Sequence, residues 1–470
     1  MKRRNQVLLG VCPIGKFVFS HEDAIRQKEA ILKKLDAWNV PYVTIDEVLP
    51  DQQGIVRHQK DVGPVVEHFK NKGVDALFIP HCNFGTEGAA GMISKKLNVP
   101  VLLWGPRDEA PLEDGSRYRD TLCGMFASSK VLYKLGVTFT YIENCRVDDP
   151  QFREGLDRFM RAVRVAKTMK NMRIGQVGVR VDFFWTTIDN EGELLQKFGI
   201  EVLPFDMADF IRAVKARAKA NWKQYEEELS TYCSTWLDAD AFETNDGLIY
   251  GFAKRDELIQ MAEDHDLDGF SVKSFTSLQT ELGAGLGIGD MLLQEIYPVG
   301  AESDLHGAVS SILLDAAKSI DEPTFLPEFT IRHPENDNAI LLWHGGNPRK
   351  LVHPSVKKLK VYPPWILKGL PPSSPKMRLK DGDLTVCRFD GETNEYRLGF
   401  GQGVTVDGPE TRESWVWMEV DNWPRWEREI MQGPYIHHCS AVYEHCADVL
   451  EEACRYIPGL TPQRFDRPGS

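Results

Sequence analysis

Between residues 301 and 346, two glutamates and a histidine, Glu302, Glu328 and His344, are the side chains best suited to chemistry. Carboxylate oxygens combined with an imidazole nitrogen form the donor set of a divalent-cation site, and carboxylates beside an ion can also carry protons. Each lies at the end or in the middle of a stretch that reads as a strand. Apolar residues run from Tyr297 to Val299 and stop at Gly300. Glu302, Ser303 and Asp304 follow, and then Leu305, Ala308, Val309, Ile312, Leu313 and Ala316 recur at helical spacing. Glu302 therefore falls in a strand-to-helix turn, which in an open α/β sheet faces the crevice where ligands bind. Glu328 lies inside the run from Phe325 to Ile331. The polar stretch 334–338 then turns the chain back into Ala339 to Trp343, a hairpin with His344, Gly345 and Gly346 at its exit.

The elements that must position these groups read as an α/β protein. Up to about residue 165, strand-like runs at 6–11, 41–45, 76–79, 99–104 and 137–142 alternate with amphipathic segments at about 20–36, 62–72, 88–97 and 119–135. That alternation is the mark of a parallel sheet with crossover helices. A charged helix at 150–170 leads to a second unit of the same kind, with strands near 173–179, 200–204, 268–273, 297–300, 324–331 and 339–343. Beyond residue 347 the pattern changes: prolines cluster at 363–364 and 371–375, and Asp-Gly turns at 381, 390 and 407 separate short alternating runs. The expected fold is two doubly wound α/β domains, 1–170 and 171–346, followed by an antiparallel β-rich domain, 347–470. That last domain ends in a helix with Val442, Cys446, Val449, Leu450, Ala453 and Ile457 on one face, so His437 and His438 fall in the loop before it.

Composition narrows the function classes. A net charge of −13, with no block of lysine and arginine, disfavours nucleic acid or an anionic membrane surface as partner. No apolar run reaches the ~20 residues of a membrane span. The short run Val7 to Cys12 reads as a buried strand rather than a signal peptide, so a cytoplasmic enzyme is expected. Nine cysteines, without a CxxC pair, read as reduced thiols. Cys439, beside His438, is the one to watch as a nucleophile. The glycines at 85, 88 and 91, and at 283, 285, 287 and 289, do not make GxGxxG, and no GxxxxGK[ST] occurs, so nucleotide cofactors are unsupported.

Taken together, the loops CNFGTEG and GPRDE, the helix start RYRDTLCG, the turn ESDLHGA, the strand FLPEFT, the WHGG exit and the terminal PYIHHC resemble the L-fucose and L-arabinose isomerase family over nearly the whole chain. The resemblance implies an aldose–ketose isomerase working through an enediol, with a divalent metal, most often manganese, as cofactor. It maps the two acidic ligands onto Glu302 and Glu328, the histidine near the last helix onto His438, and a further histidine of the arabinose branch onto His344. Glu302 and Glu328 would also be the catalytic acid and base. Asp304, His306, His333 and His437 are expected to support the site or the fold. The partner implied is a small sugar, within a homo-hexamer in which the loops at 81–88 and 104–109 act on a neighbouring subunit. Where the fucose enzymes have an Arg-Pro pair this chain has Cys12-Pro13, which leaves the sugar open between fucose, arabinose and an aldose with a charged substituent. From the residue types alone, a metal-dependent hydrolase or lyase, or a non-catalytic two-lobed sugar-binding protein, stays open beside the isomerase.

Overall fold

The strands expected near the start of the chain are short and apolar, and they assemble side by side in a computed structural model that describes residues 5–238, 246–283, 286–363 and 374–467. Pro364, Pro371 and Pro372 of the proline clusters, and Gly285, lie outside the described residues. Two units are distinguished, Met1–Lys167 and Thr168–Ser470.

In the first unit β1 (Leu9–Val11), β2 (Tyr42–Val43), β3 (Ala76–Pro80), β4 (Val101–Trp104) and β5 (Phe139–Tyr141) form a parallel sheet in the order β2-β1-β3-β4-β5. The helices α1 (His21–Ala37), α2 (Val62–Lys72), α3 (Glu87–Leu97) and α4 (Thr121–Lys134) connect them, and the division between the units falls within α5 (Pro150–Lys170). β3 and β4 are buried along their whole length, which is why they read as unbroken apolar runs rather than alternating ones.

The second unit begins with another parallel sheet. It comprises β6 (Arg173–Val177), β7 (Glu201–Phe205), β8 (Gly269–Val272) and β9 (Val299–Ala301) in the order β7-β6-β8-β9. Its helices are α6 (Glu191–Phe198), α7 (Met207–Thr235), α8 (Asp246–Asp264), α9 (Ser277–Leu282), α10 (Ile288–Leu293) and α11 (Leu305–Ala317). Of these, α9 and α10 are short, six residues each. β10 (Glu328–Arg332) and β11 (Ala339–His344) form the expected hairpin, but they do not extend the parallel sheet. They pair antiparallel and enter a nine-stranded sheet with β12 (Lys360–Tyr362), β13 (Ser374–Arg378), β14 (Asp383–Glu392), β15 (Glu395–Val406), β16 (Ser414–Glu419), β17 (Ser440–Val442) and β18 (Leu460–Arg464). The architecture agrees with the expected class, two parallel α/β sheets followed by an antiparallel β-rich one.

The terminal helix is shorter than its apolar spacing predicts. After α12 (Trp423–Gln432), the residues Ser440–Val442 are strand β17, hydrogen-bonded to Thr385–Cys387 of β14, and α13 spans only Ala447–Cys454. Val442 fits a helical period by coincidence, because the backbone there is already committed to the sheet.

One element joins the two sheets of this unit. α11 is buried on nearly every side and packs against β8 and β9 as well as against β14 and β17. Its sequence LHGAVSSILLDAA carries no polar face because it has no solvent face. The turn that starts α11 is therefore held between the parallel sheet and the large sheet.

Candidate metal centre

Glu302 lies in that turn. Its backbone and that of Ser303 are left-handed, with φ of 64° and 61°. Two such residues without glycine cost about 1–2 kcal/mol each and persist only where the surroundings impose them. Here three hydrogen bonds do so: Glu302 N–H donates to Ser274 Oγ at 3.1 Å, Ser303 N–H to the Val272 carbonyl at 2.9 Å and Asp304 N–H to that of Ala301 at 3.0 Å. Gly300 is obligatory, since a Cβ there would stand 2.1 Å from the Asp304 carbonyl oxygen. Asp304 then caps α11, accepting from Gly307 N–H at 2.8 Å.

Glu328 and His438 are placed by strand pairing. They face one another in an antiparallel bridge, flanked by Phe329 N–H to the His437 carbonyl and Cys439 N–H to the Pro327 carbonyl, both 2.9 Å. His438 thus belongs to an extended segment leading into β17, not to a loop before a helix. His344 ends β11, opposite Ser414 of β16. Its Nδ1 lies 2.9 Å from the Gly345 carbonyl, so Nδ1 carries the proton and Nε2 keeps its lone pair.

These four residues, expected from separate stretches of sequence, come together: one ligand atom from each of Glu302, Glu328, His344 and His438 lies within 4.8 Å of the others. His438 Nε2 is 3.5 Å from a Glu302 oxygen and 3.6 Å from a Glu328 oxygen, while His344 Nε2 is 3.9 Å from both. Such distances are too long for hydrogen bonds, and both Nε2 atoms are buried without a hydrogen-bond partner. Orphaned acceptors of this kind are costly unless something else engages them. Ligand atoms about 2.1–2.2 Å from a shared ion lie roughly 3.0–3.6 Å apart, so the cluster needs only a small contraction to grip one. Two carboxylates and two imidazoles suit a divalent ion of the manganese, iron or cobalt type, and the residues present fit the cofactor that the resemblance implies.

The electrostatics favour a cation at the same point. Burial alone would lower the pKa of His438, but Asp304, Glu302 and Glu328 outweigh it and hold the imidazole well above its ordinary value. Burial would likewise raise the Glu328 carboxyl, yet the facing His438 and His344 keep it below the usual range. Behind the cluster, Asp304 Oδ2 lies 3.0 Å from His438 Nδ1. Asp304 is also clamped by both terminal nitrogens of the buried Arg388, whose Nε reaches Asp390 at 2.8 Å. Burial works against ionisation of Asp304, but Arg388 and His438 overcome it and hold the carboxyl far below its ordinary value. This carboxylate–histidine pair orients the ring, with Nδ1 toward Asp304 and Nε2 toward Glu302 and Glu328.

The other residues singled out from the sequence lie around this centre or away from it. His306 bonds Asp390 at 3.1 Å, supporting the same network from behind. His333 accepts from the N–H groups of Glu335 and Asn336 and shapes the hairpin turn. His437 is exposed next to His438. Cys439 is buried, and burial pushes its thiol far above the ordinary value, which removes it as a nucleophile. Two further groups lie at the site. Arg388, in the middle of the apolar run LTVCRFD, signals a buried partner carboxylate; Glu413, just before β16, carries no such signal. Among the described residues no helix is long and apolar enough to cross a membrane.

Comparison with known proteins points the same way. Residues 10–171 match the family model described as fucose/sulfoquinovose isomerase, N-terminal domain. Over 452 residues, 95% of this chain and 96% of theirs, it is 23% identical to the sulfoquinovose isomerases of Priestia aryabhattai and Priestia megaterium. A third sulfoquinovose isomerase, from Alkalicoccus urumqiensis, is 24% identical over 318 residues, covering 67% of this chain and 69% of its own.

Proposed function

We propose, because the chain is a fucose-isomerase-like protein, that it is a metal-dependent aldose–ketose isomerase whose substrate is a free aldose with an anionic substituent of the sulfonate type. The single observation that carries the metal-dependent reading is the convergence of Glu302, Glu328, His344 and His438 on one point with two buried imidazole nitrogens left unpartnered. The sulfonate is supported by full-length relatives named for sulfoquinovose.

In this reading the four side chains hold the ion, with manganese the favoured identity. A bound divalent ion would draw electron density from adjacent sugar oxygens and so acidify the C2–H bond. Glu302 and Glu328 do the proton work. One carboxylate takes the C2 proton as the C1 carbonyl oxygen gains one, giving the enediol. The carboxyl, its proton exchanged with solvent, then protonates C1 as the C2 hydroxyl proton leaves, giving the ketose with no net gain or loss of atoms. Glu328 is the more open of the two, its side chain 18% exposed against 9% for Glu302, which favours it as the group that meets the sugar. A homo-hexamer and a cytoplasmic location belong to the same reading, and light scattering of the purified protein tests the first.

The experiment is incubation of the manganese-loaded protein with sulfoquinovose, L-fucose and L-arabinose in D2O, followed by NMR. The expected result is the 2-ketose of sulfoquinovose with deuterium at C1. Glu328→Gln should lower turnover by at least a thousandfold while the protein melts within a few degrees of the wild type. Absence of a ketose from all three sugars, or near wild-type turnover by Glu328→Gln, overturns the reading.

A further inference from the structure

The ion needs two carboxylates, yet the cavity in front of it holds a third. Glu413 lines the same cavity as Glu302, Glu328, His344 and Trp343, but its carboxyl lies outside the group of atoms that can share one ion. Its position is imposed rather than incidental. The backbone at Glu413 is left-handed, φ 60°, a conformation that costs a non-glycine residue free energy. It is held there on both sides: Met377 N–H donates to the Glu413 carbonyl at 2.7 Å, and Trp343 Nε1–H donates to that of Arg412 at 2.6 Å.

The neighbouring chain makes room for the side chain. A Cβ at Gly345 would stand 2.8 Å from Glu413 Oε2, so the first glycine after His344 is the clearance in which the carboxyl rests. Burial raises the carboxyl above its ordinary value, helped by Glu328 and opposed by His344, Ser374 and Arg412. Among the described residues no lysine or arginine forms an ion pair with it. A half-buried carboxyl with no ion-pair partner, on strained backbone and facing a cavity, is an expense that a purely structural residue would not explain.

We propose that Glu413 is a further substrate-contacting residue, which hydrogen-bonds a hydroxyl of the open-chain sugar from the cavity wall without ligating the ion. This rests on the isomerase reading above and adds a contact that the ligand set does not supply. Glu302 and Glu328 are committed to the ion and the migrating proton, whereas Glu413 is free to recognise the polyol chain. Gly345 and Glu413 then act as a pair, and Gly345→Ala would displace the carboxyl from its place.

The test uses the full chain loaded with Mn2+ and, as probe, the sulfonated hexitol made by borohydride reduction of sulfoquinovose, which cannot isomerise. Mn2+ uptake is read by electron paramagnetic resonance and hexitol binding by calorimetry. Glu413→Ala and Glu413→Gln should both take up Mn2+ within threefold of the wild type. Hexitol affinity should fall by about ten- to a hundredfold in Glu413→Ala, and by at least threefold in Glu413→Gln, which carries the test if the alanine variant does not fold. KM should rise more than kcat falls. Equal hexitol affinity in wild type and variants overturns the role of Glu413 alone, and loss of Mn2+ in both variants overturns it by making Glu413 a ligand. A wild type that takes up Mn2+ but binds no hexitol overturns the isomerase reading, and this contact with it.

Discussion

Replacing Asp304 by asparagine tests whether the groups behind the cluster tune it for an ion. Asp304 serves three partners through two oxygens: Oδ1 accepts from Gly307 N–H at 2.8 Å and an Arg388 nitrogen at 3.1 Å, while Oδ2 faces the other Arg388 nitrogen and, at 3.0 Å, His438 Nδ1. Asparagine has the same shape but presents an NH2 at one of these positions. If the NH2 replaces Oδ1 it opposes two donors; if it replaces Oδ2 it opposes Arg388 and pushes His438 to protonate Nε2, the atom that should bind metal. Breaking a buried pair of charges costs about 3–5 kcal/mol. Arg388 keeps Asp390, so the loss here should be at the lower end, about 3 kcal/mol. Loss of the orienting carboxylate should weaken metal binding ten- to a hundredfold. Denaturant unfolding and Mn2+ titration followed by electron paramagnetic resonance read the two effects separately. Mn2+ affinity within twofold of the wild type, in a variant that has lost the expected stability, would refute the argument that Asp304 orients His438 for an ion.

Three other perturbations follow from the geometry. Gly300→Ala places a Cβ 2.1 Å from the Asp304 carbonyl oxygen and 2.7 Å from Ala308 N, both backbone, so the turn carrying Glu302 must shift; a loss of about 3 kcal/mol and weaker Mn2+ binding are expected in the same two assays. Lys254→Met leaves Asp290 buried without its partner at 2.8 Å, and should cost about 3–5 kcal/mol in chemical unfolding with all four cluster side chains still in place. In the first unit, burial holds His81 at about 4 against an ordinary 6.5, despite its hydrogen bond to the Phe84 carbonyl. The folded histidine stays neutral while the unfolded one takes a proton below about pH 6.5, so acid favours unfolding. Stability should fall by about 3 kcal/mol between pH 7 and 4, and unfolding of His81→Asn over that range should show a clearly flatter slope.

The fold was legible where burial writes itself into the local pattern. Ala76–Pro80 and Val101–Trp104 are covered on both faces, so their apolar runs alone identify them as inner strands. Glu302, Glu328 and His344 stood out because charge at a strand end is costly without a purpose. Pairing partners left no such trace. Nothing local distinguishes β10 and β11 as members of the large antiparallel sheet, since register is decided by residues far along the chain. Val442 reads as helical because its spacing to Cys446 and Val449 is equally compatible with a helix and with a strand followed by a shorter helix. His438 could be selected only by resemblance, because what makes it special is a bridge to Glu328 and a carboxylate 134 residues earlier. Glu413 was invisible for the same reason: its significance lies in the space above Gly345, which only the folded backbone creates.

The joining of both sheets through α11 has a consequence for biosynthesis. While the ribosome is still producing the large sheet, the nascent chain already carries Glu302, Glu328 and His344 but still lacks the second imidazole, that of His438. Translation must run on past His438, and β17 must dock, before the four-residue cluster is complete. Under the metal-dependent reading, the capacity to hold an ion would therefore arise late in maturation, with only α13 and β18 still to be added after β17.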